Sequence, residues 1–303
     1  MQFEDFSLAR RELPLALVFG SLAATYVGPG FSIGFVGRGF KTGLLFWIVG
    51  LAYAFQNVLV GIFIAPKLRR LEGCHTLGDA IGQKYDRTCQ VLAGVISVGL
   101  CAGFAAVMAK AGGDVLRDMF ELPPWSSVIV VAGITVLYTT FGGLRASVIT
   151  DAFQFSTFAI LLPLVLLFIL AGSSWDVGPL TAEARTATAQ SIQSISIVEV
   201  IGLIAAFFLG EMLIPPYANR ALASRTTNIS RYGFILAGAF SAFWFLVMVA
   251  LGISARTVLP EGTDGDYVLA GLLKSVMPNY GYALLLAALI SVVMSSLDSL
   301  LNA

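Results

Sequence analysis

A glycine–proline–glycine triplet, Gly28-Pro29-Gly30, stands near the middle of an apolar run that extends from Leu13 to about Val36. The run is long enough to cross a bilayer, which takes roughly 20 apolar residues in a helix. Proline removes a backbone donor there, and the glycines free the chain to leave the helix. Lipid cannot satisfy the released N–H and C=O groups, so a break at that depth has to face protein or a wet cavity. A simple proline kink is the plainer alternative. A second interruption favours the cavity. The apolar stretch from Val200 to Pro216 contains Leu209-Gly-Glu-Met-Leu-Ile-Pro-Pro-Tyr217, where glycine and proline again interrupt it and Glu211 carries a carboxylate into it. Paired interruptions in corresponding helices are the sequence sign of an inverted-repeat transporter core.

Composition places those interruptions in a membrane. Only 12% of residues are charged, against about 25% in a soluble domain, and the mean hydropathy is +0.86. The net charge of zero argues against a nucleic-acid partner. Eight apolar segments fall near 13–36, 42–66, 89–111, 125–141, 147–172, 195–216, 231–255 and 280–303. The expected fold is therefore an all-α membrane protein of eight transmembrane helices, with the first and sixth broken. It forms one transporter domain over 1–303, with a first repeat at about 13–172 and an incomplete second repeat at about 195–303. Thr181 to Ser194 reads as an exposed loop. Lys and Arg are more numerous in the loops on the N-terminal side, counting Arg145 and Arg220 among them, which puts the N-terminus in the cytoplasm. Met1 to Glu12 is polar and the run after it is too long for a cleavable signal. Cys74, Cys89 and Cys101 lack metal spacing and read as free thiols, and His75 as a solvated loop residue.

The last segment carries chemistry. Ser291, Ser295, Asp298 and Asn302 recur at four, three and four residues and so share a helix face, bordered by Ser296 and Ser299. Such hydroxyls and a carboxylate are hard oxygen ligands of the kind that replace water around a small cation. Asp298 needs a partner, because an ionisable group at membrane depth otherwise costs at least ~2.5 kcal/mol. The alternative has the serines bonding back to their own helix. The broken first helix offers the complement: its last carbonyls, around Ala23 to Tyr26, lose their intrahelical donors at the break. A cation held between them and Ser295/Ser296 would tie the first helix to the eighth. Asp151, at the start of the fifth helix, is either a first-turn carboxylate or a second intramembrane ligand.

Three stretches carry a family resemblance. Phe141-Gly-Gly-Leu-Arg-Ala-Ser-Val-Ile-Thr-Asp-Ala-Phe-Gln154 and Val293-Met-Ser-Ser-Leu-Asp-Ser-Leu-Leu-Asn302 resemble two signatures of the sodium:solute symporter family. Ala24-Thr-Tyr-Val-Gly-Pro-Gly30 is similar to that family's unwound first core helix. The resemblance implies a leucine-transporter-type core, alternating access and an inward sodium gradient as driving force. It places one sodium on the carbonyls of Ala23, Tyr26 and Val292 and the hydroxyls of Ser295 and Ser296. A second sodium, held by some members, would use Asp151, Ser295, Asp298 and Ser299, although position 298 is a serine where that site is clear. Ile214-Pro-Pro-Tyr-Ala-Asn-Arg220 brings the choline transporter branch nearest. That branch encloses a quaternary ammonium in aromatic rings. Substrate contacts are accordingly expected from Tyr26, Gly28, Gly30, Tyr53, Phe104, Glu211 and Tyr217, with Pro216 standing where a cage ring is lost. The resemblance also suggests a chain truncated at both ends.

The function expected is sodium-coupled symport of a small organic solute, cationic or zwitterionic, across the plasma or inner membrane, with no cofactor besides the coupling ion. Two alternatives stay open: a proton-coupled transporter relaying through Glu211, Asp151 or Asp298, and a non-transporting sensor or remnant. An enzyme is not expected, since no nucleophile–base pair or phosphate loop is visible.

Overall fold

The computed structural model describes residues 3–303, and among these it is built of helices, with a single isolated bridge and no strand. The order is α1 (Phe3–Leu8), α2 (Leu15–Tyr26), α3 (Pro29–Thr42), α4 (Leu45–Phe63), α5 (Ala65–Arg69), α6 (Leu77–Lys84) and α7 (Arg87–Phe120). There follow α8 (Pro124–Gly172), α9 (Gly178–Ser194), α10 (Ile197–Leu209), α11 (Pro215–Ala223), α12 (Thr227–Ala255), α13 (Val268–Val276) and α14 (Asn279–Leu301).

The first apolar run forms two helices joined at Val27 and Gly28. Helix α2 closes with the Val27 N–H donating to the Ala23 carbonyl at 3.1 Å. Gly28 then turns extended (φ −51°, ψ 179°), and Pro29 opens α3, bent 49° from α2. Pro29 has no N–H to offer the Thr25 carbonyl one turn back. Ser32 secures the break. Its hydroxyl donates to the Val27 carbonyl at 2.5 Å and accepts the Trp244 indole N–H at 3.0 Å.

Helix α8 runs 49 residues, about 74 Å at 1.5 Å per residue, more than twice the hydrocarbon thickness. Gly143 divides it, with φ +57° in the left-handed region that favours glycine. A Cβ there would also meet Phe6 at 2.8 Å. The second interruption follows Leu209: residues 210–214 leave the helix, and Pro215 and Pro216 open α11.

Among the described residues, five helices are long and apolar enough to span a membrane, or up to seven if each bent pair is one span. Their burial sorts them. The most apolar windows of α12 and α14 are 56% and 67% buried, those of α7 and α8 only 6% and 17%. Thus α12 and α14 form the centre, with α2, α3 and α4 on α12 and α7 and α8 on α14. Exposed Val95, Val98, Phe153 and Ile160 leave an outer surface that water would not tolerate and acyl chains would. Small residues let α12 approach α3 closely: a Cβ on Gly39 would lie 2.5 Å from the Val249 carbonyl, and one on Gly252 would collide with the Val36 carbonyl.

Two expectations change. The stretch Thr181 to Ser194 is the body of helix α9, not a loop. Pro179 sits in its first turn, the Thr181, Thr186 and Thr188 hydroxyls bond back to carbonyls three or four residues earlier, and Ala184, Ala187 and Ser191 form its buried side. Low hydropathy hid a helix that is stabilised by packing, and a bend of 107° sets it across the direction of α10. His75 is half-buried rather than solvated: its ring lies 3.3 Å from the Ser7 hydroxyl and its backbone N–H donates to Asp79 at 3.0 Å. Asp79 and Thr76 complete a capping box at the start of α6. Burial opposes the Asp79 charge, but the N–H donors of His75, Thr76 and Gln90 outweigh it and hold this carboxyl below its ordinary value.

Candidate functional site

The two interruptions meet at one place. Leu13 pairs with Ser224 in a parallel bridge, so the start of α2 is tied to the end of α11. Helix α14 packs against α2 from the other side. A Cβ built on Gly28 would lie 2.6 Å from the Ser296 hydroxyl. The break therefore presses on Ser296 of α14. Ser296 Oγ is buried and has no hydrogen-bond partner among the described residues, which is rare for a buried hydroxyl in a settled core. Ser295 is fully buried beside it and donates to Asp151 Oδ1 at 2.8 Å. With its proton committed to Asp151, Ser295 keeps its lone pairs as acceptors. Ala23, Tyr26 and Val292 are fully buried as well. The donor set is hard oxygen throughout, and the orphaned hydroxyl fits an alkali cation better than a self-satisfied helix.

Asp151 sits in a second cluster. Its Oδ2 accepts from the Ser21 hydroxyl at 2.5 Å, from Arg220 at 3.1 Å and from Ser299 at 3.4 Å. Arg220 also donates to Ser21 Oγ at 3.0 Å, to the Pro216 carbonyl at 3.2 Å and to Ser299 Oγ at 2.5 Å. The Arg220 and Asp151 side chains are both fully buried. Arg220 is thus an interior residue, where the sequence reading counted it with the loop cations; a buried carboxylate recruits a cation from wherever the chain supplies one. Asp298, also buried, points elsewhere: its Oδ2 accepts from Tyr138 at 2.8 Å and Thr150 at 3.3 Å, while Oδ1 is unpartnered among the described residues.

Beside this break lies a cavity of about 430 Å³, with Gly28, Gly30, Phe104, Glu211, Tyr217 and Ser296 in its wall. Tyr26 and Tyr53 are not in that wall. Phe31 stacks on Tyr53 at 4.5 Å and covers it, and Tyr26 packs edge-on to Tyr217 at 4.6 Å. The two hydroxyls of Tyr53 and Tyr217 lie 2.8 Å apart and both approach Glu211, at 3.5 and 3.4 Å. Tyr53 thereby sits behind the cavity surface, with its hydroxyl 3.5 Å from Glu211. Sequence reasoning missed Phe31, Phe35, Arg38, Phe46 and Phe207, which line the cavity. Four-residue spacing of Gly30, Gly34 and Arg38 along one face of α3 was the available signal.

A model of the sodium:solute symporter family matches residues 6–303. The chain belongs to the sodium:solute symporter family. Members of this family are transporters rather than enzymes. The chain is 24% identical over 311 residues to the sodium/pantothenate symporter of Escherichia coli (strain K12), covering 97% of this chain and 63% of that one. It is 26% identical over 318 residues to the high-affinity choline transporter 1 of Drosophila melanogaster, covering 98% and 49%. The fold is similar to that of a sodium-coupled sialic acid symporter in a substrate-bound, outward-open state. There the TM-score is 0.85 at 18% identity, over 98% of this chain and 66% of that one. The chain thus spans from about half to about two thirds of these relatives' length.

Proposed function

We propose that the protein belongs to a sodium-coupled symporter of a small organic solute that works by alternating access. The observation that carries this reading is the buried, unpartnered Ser296 hydroxyl set against the break at Gly28. The coupling sodium lies between the α2 carbonyls of Ala23 and Tyr26 and the α14 groups Val292, Ser295 and Ser296. The solute lies in the adjoining cavity, where Gly28, Gly30, Phe104, Glu211 and Tyr217 touch it. Glu211 among aromatic rings favours a solute that carries a positive charge, and Arg38 in the same wall leaves room for a negative one, so the solute is cationic or zwitterionic. The sodium joins α2 to α14 and braces the wall on which the solute rests, so each ligand favours the other's binding.

The same reading makes eight spans. These are α2 with α3, α4, α7, the two lengths of α8 on either side of Gly143, α10 with α11, α12 and α14. They divide into a first repeat at about 13–172 and an incomplete second at about 195–303, in a plasma or inner membrane with the N-terminus cytoplasmic.

Thermal unfolding of the purified chain in sodium chloride against potassium chloride at equal ionic strength tests the ion site. A ligand specific to the folded state stabilises it by RT ln(1 + [L]/Kd). A sodium-specific rise that Ser296→Ala removes is expected; an equal rise in the variant refutes the site. A second reading rests on Glu211 in the cavity wall, whose half-buried carboxylate meets the Tyr53 and Tyr217 hydroxyls. Solute uptake driven by a pH gradient and indifferent to sodium would establish proton coupling in its place.

A further inference from the structure

The cluster around Asp151 bears on how many cations the protein binds. Asp151, Ser295 and Ser299 are three of the four groups that a second sodium would need. All three are already engaged. Arg220 reaches Asp151 Oδ2 at 3.1 Å and Ser299 Oγ at 2.5 Å. Ser21 fills the same carboxylate oxygen at 2.5 Å while accepting from Arg220 Nε at 3.0 Å. Ser295 fills Oδ1 at 2.8 Å. The fourth group, Asp298, turns its Oδ2 to Tyr138 and Thr150. A guanidinium never loses its proton in a protein, so a sodium at this place would face a fixed like charge across one carboxylate.

We infer that Arg220 is the resident cation of this cluster, that the protein consequently binds one sodium and not two, and that Asp151 acts as a positioning residue for that one sodium. The inference rests on the sodium reading above. Its second part follows from proton placement. Ser295 is both a ligand of the sodium and a donor to Asp151 Oδ1. The carboxylate fixes the hydroxyl proton on its own side, so the Ser295 lone pairs stay available to the ion. Arg220, in turn, holds that carboxylate in place. Its four donor contacts join α11, α8, α2 and α14, so the guanidinium holds both broken helices to the serine-bearing one.

The test is equilibrium binding of radioactive sodium to the purified full chain, giving both the number of ions and their affinity. The native chain is expected to take up one ion per chain. Arg220→Gln frees Asp151 and Ser299 and is expected to raise the number to two. Asp151→Asn removes the orientation of Ser295 and is expected to keep one ion with affinity weaker by about tenfold or more, as losses of ligand-orienting partners are elsewhere. Asp151→Asn needs no second ion to appear, so it decides the matter even where Arg220→Gln does not fold. Two ions in the native chain, falling to one in Asp151→Asn, would overturn the inference and leave the first sodium site standing. Asp151→Asn with one ion at native affinity would overturn the positioning role. No sodium uptake by the folded native chain would overturn the first site, and the count of one with it.

Discussion

Gly28 and Gly30 flank the same proline, yet alanine at the two positions should behave very differently. At Gly30 an added Cβ meets nothing within 4 Å. At Gly28 it would lie 2.6 Å from Ser296 Oγ and 3.5 Å from Ser296 Cβ. The Gly28 backbone is one that alanine adopts, since φ is −51°, so no strain arises from the main chain. What gives is the serine: its hydroxyl must recede by about 0.5–1 Å to reach ordinary contact, and rotation about χ1 is the cheapest route. The fold should therefore survive while the sodium loses one ligand. A hydrogen bond to a charged group is worth about 1.5–3 kcal/mol, and we take a hydroxyl–cation contact as similar. Affinity should fall by roughly 10- to 100-fold, at about 1.4 kcal/mol per tenfold. At sodium one hundred times the native Kd, stabilisation is about 2.7 kcal/mol. It should drop to about 1.4 kcal/mol for a tenfold loss and about 0.4 kcal/mol for a hundredfold loss. The assay is the sodium-against-potassium unfolding difference for Gly28→Ala, Gly30→Ala and the native chain. Gly30→Ala should match the native chain. A native-sized sodium response in Gly28→Ala would refute the placement of Ser296 as a ligand against the break.

Other predictions follow from packing and charge. Gly252→Ala forces a methyl into the Val36 carbonyl, and a backbone atom between two packed helices cannot swing aside. Overpacking of this kind costs about 1–3 kcal/mol, read as a lower unfolding midpoint that sodium does not restore to the native value. Tyr138→Phe removes the 2.8 Å donor to Asp298 from a buried carboxylate and should destabilise by about 1–3 kcal/mol. A smaller change than that would mean that the Thr150 hydroxyl, at 3.3 Å, satisfies Asp298 without Tyr138. Asp79 has a folded pKa below its unfolded one, so its contribution is complete above the unfolded value, near 4, and is lost as pH falls through the folded value. Amide exchange at the start of α6 should accelerate on acidification through that range, and Asp79→Asn should show the fast exchange already at neutral pH.

The sequence by itself determined the class of fold and the outline of the proposed ion site. Membrane solubility is a property of composition, and the break at Gly28-Pro29-Gly30 is a property of local backbone chemistry, so both are written in short stretches of chain. The serine face of α14 is likewise a matter of helical spacing, and its meeting with the break follows once both are read as halves of one site. Tertiary structure decided what spacing cannot reach. Asp151 and Arg220 are 69 residues apart; the sequence can say that a buried carboxylate needs a partner, but only packing selects which cation supplies it. Tyr26 and Tyr53 are as aromatic as Phe31, and their exclusion from the cavity wall depends on which ring stacks in front. Helix α9 has almost no hydropathic signal, because its alanine side is buried against neighbours distant in the chain. Local covalent chemistry and helical period are carried by consecutive residues. Charge pairing and the facing of a cavity arise between segments that only the fold brings together.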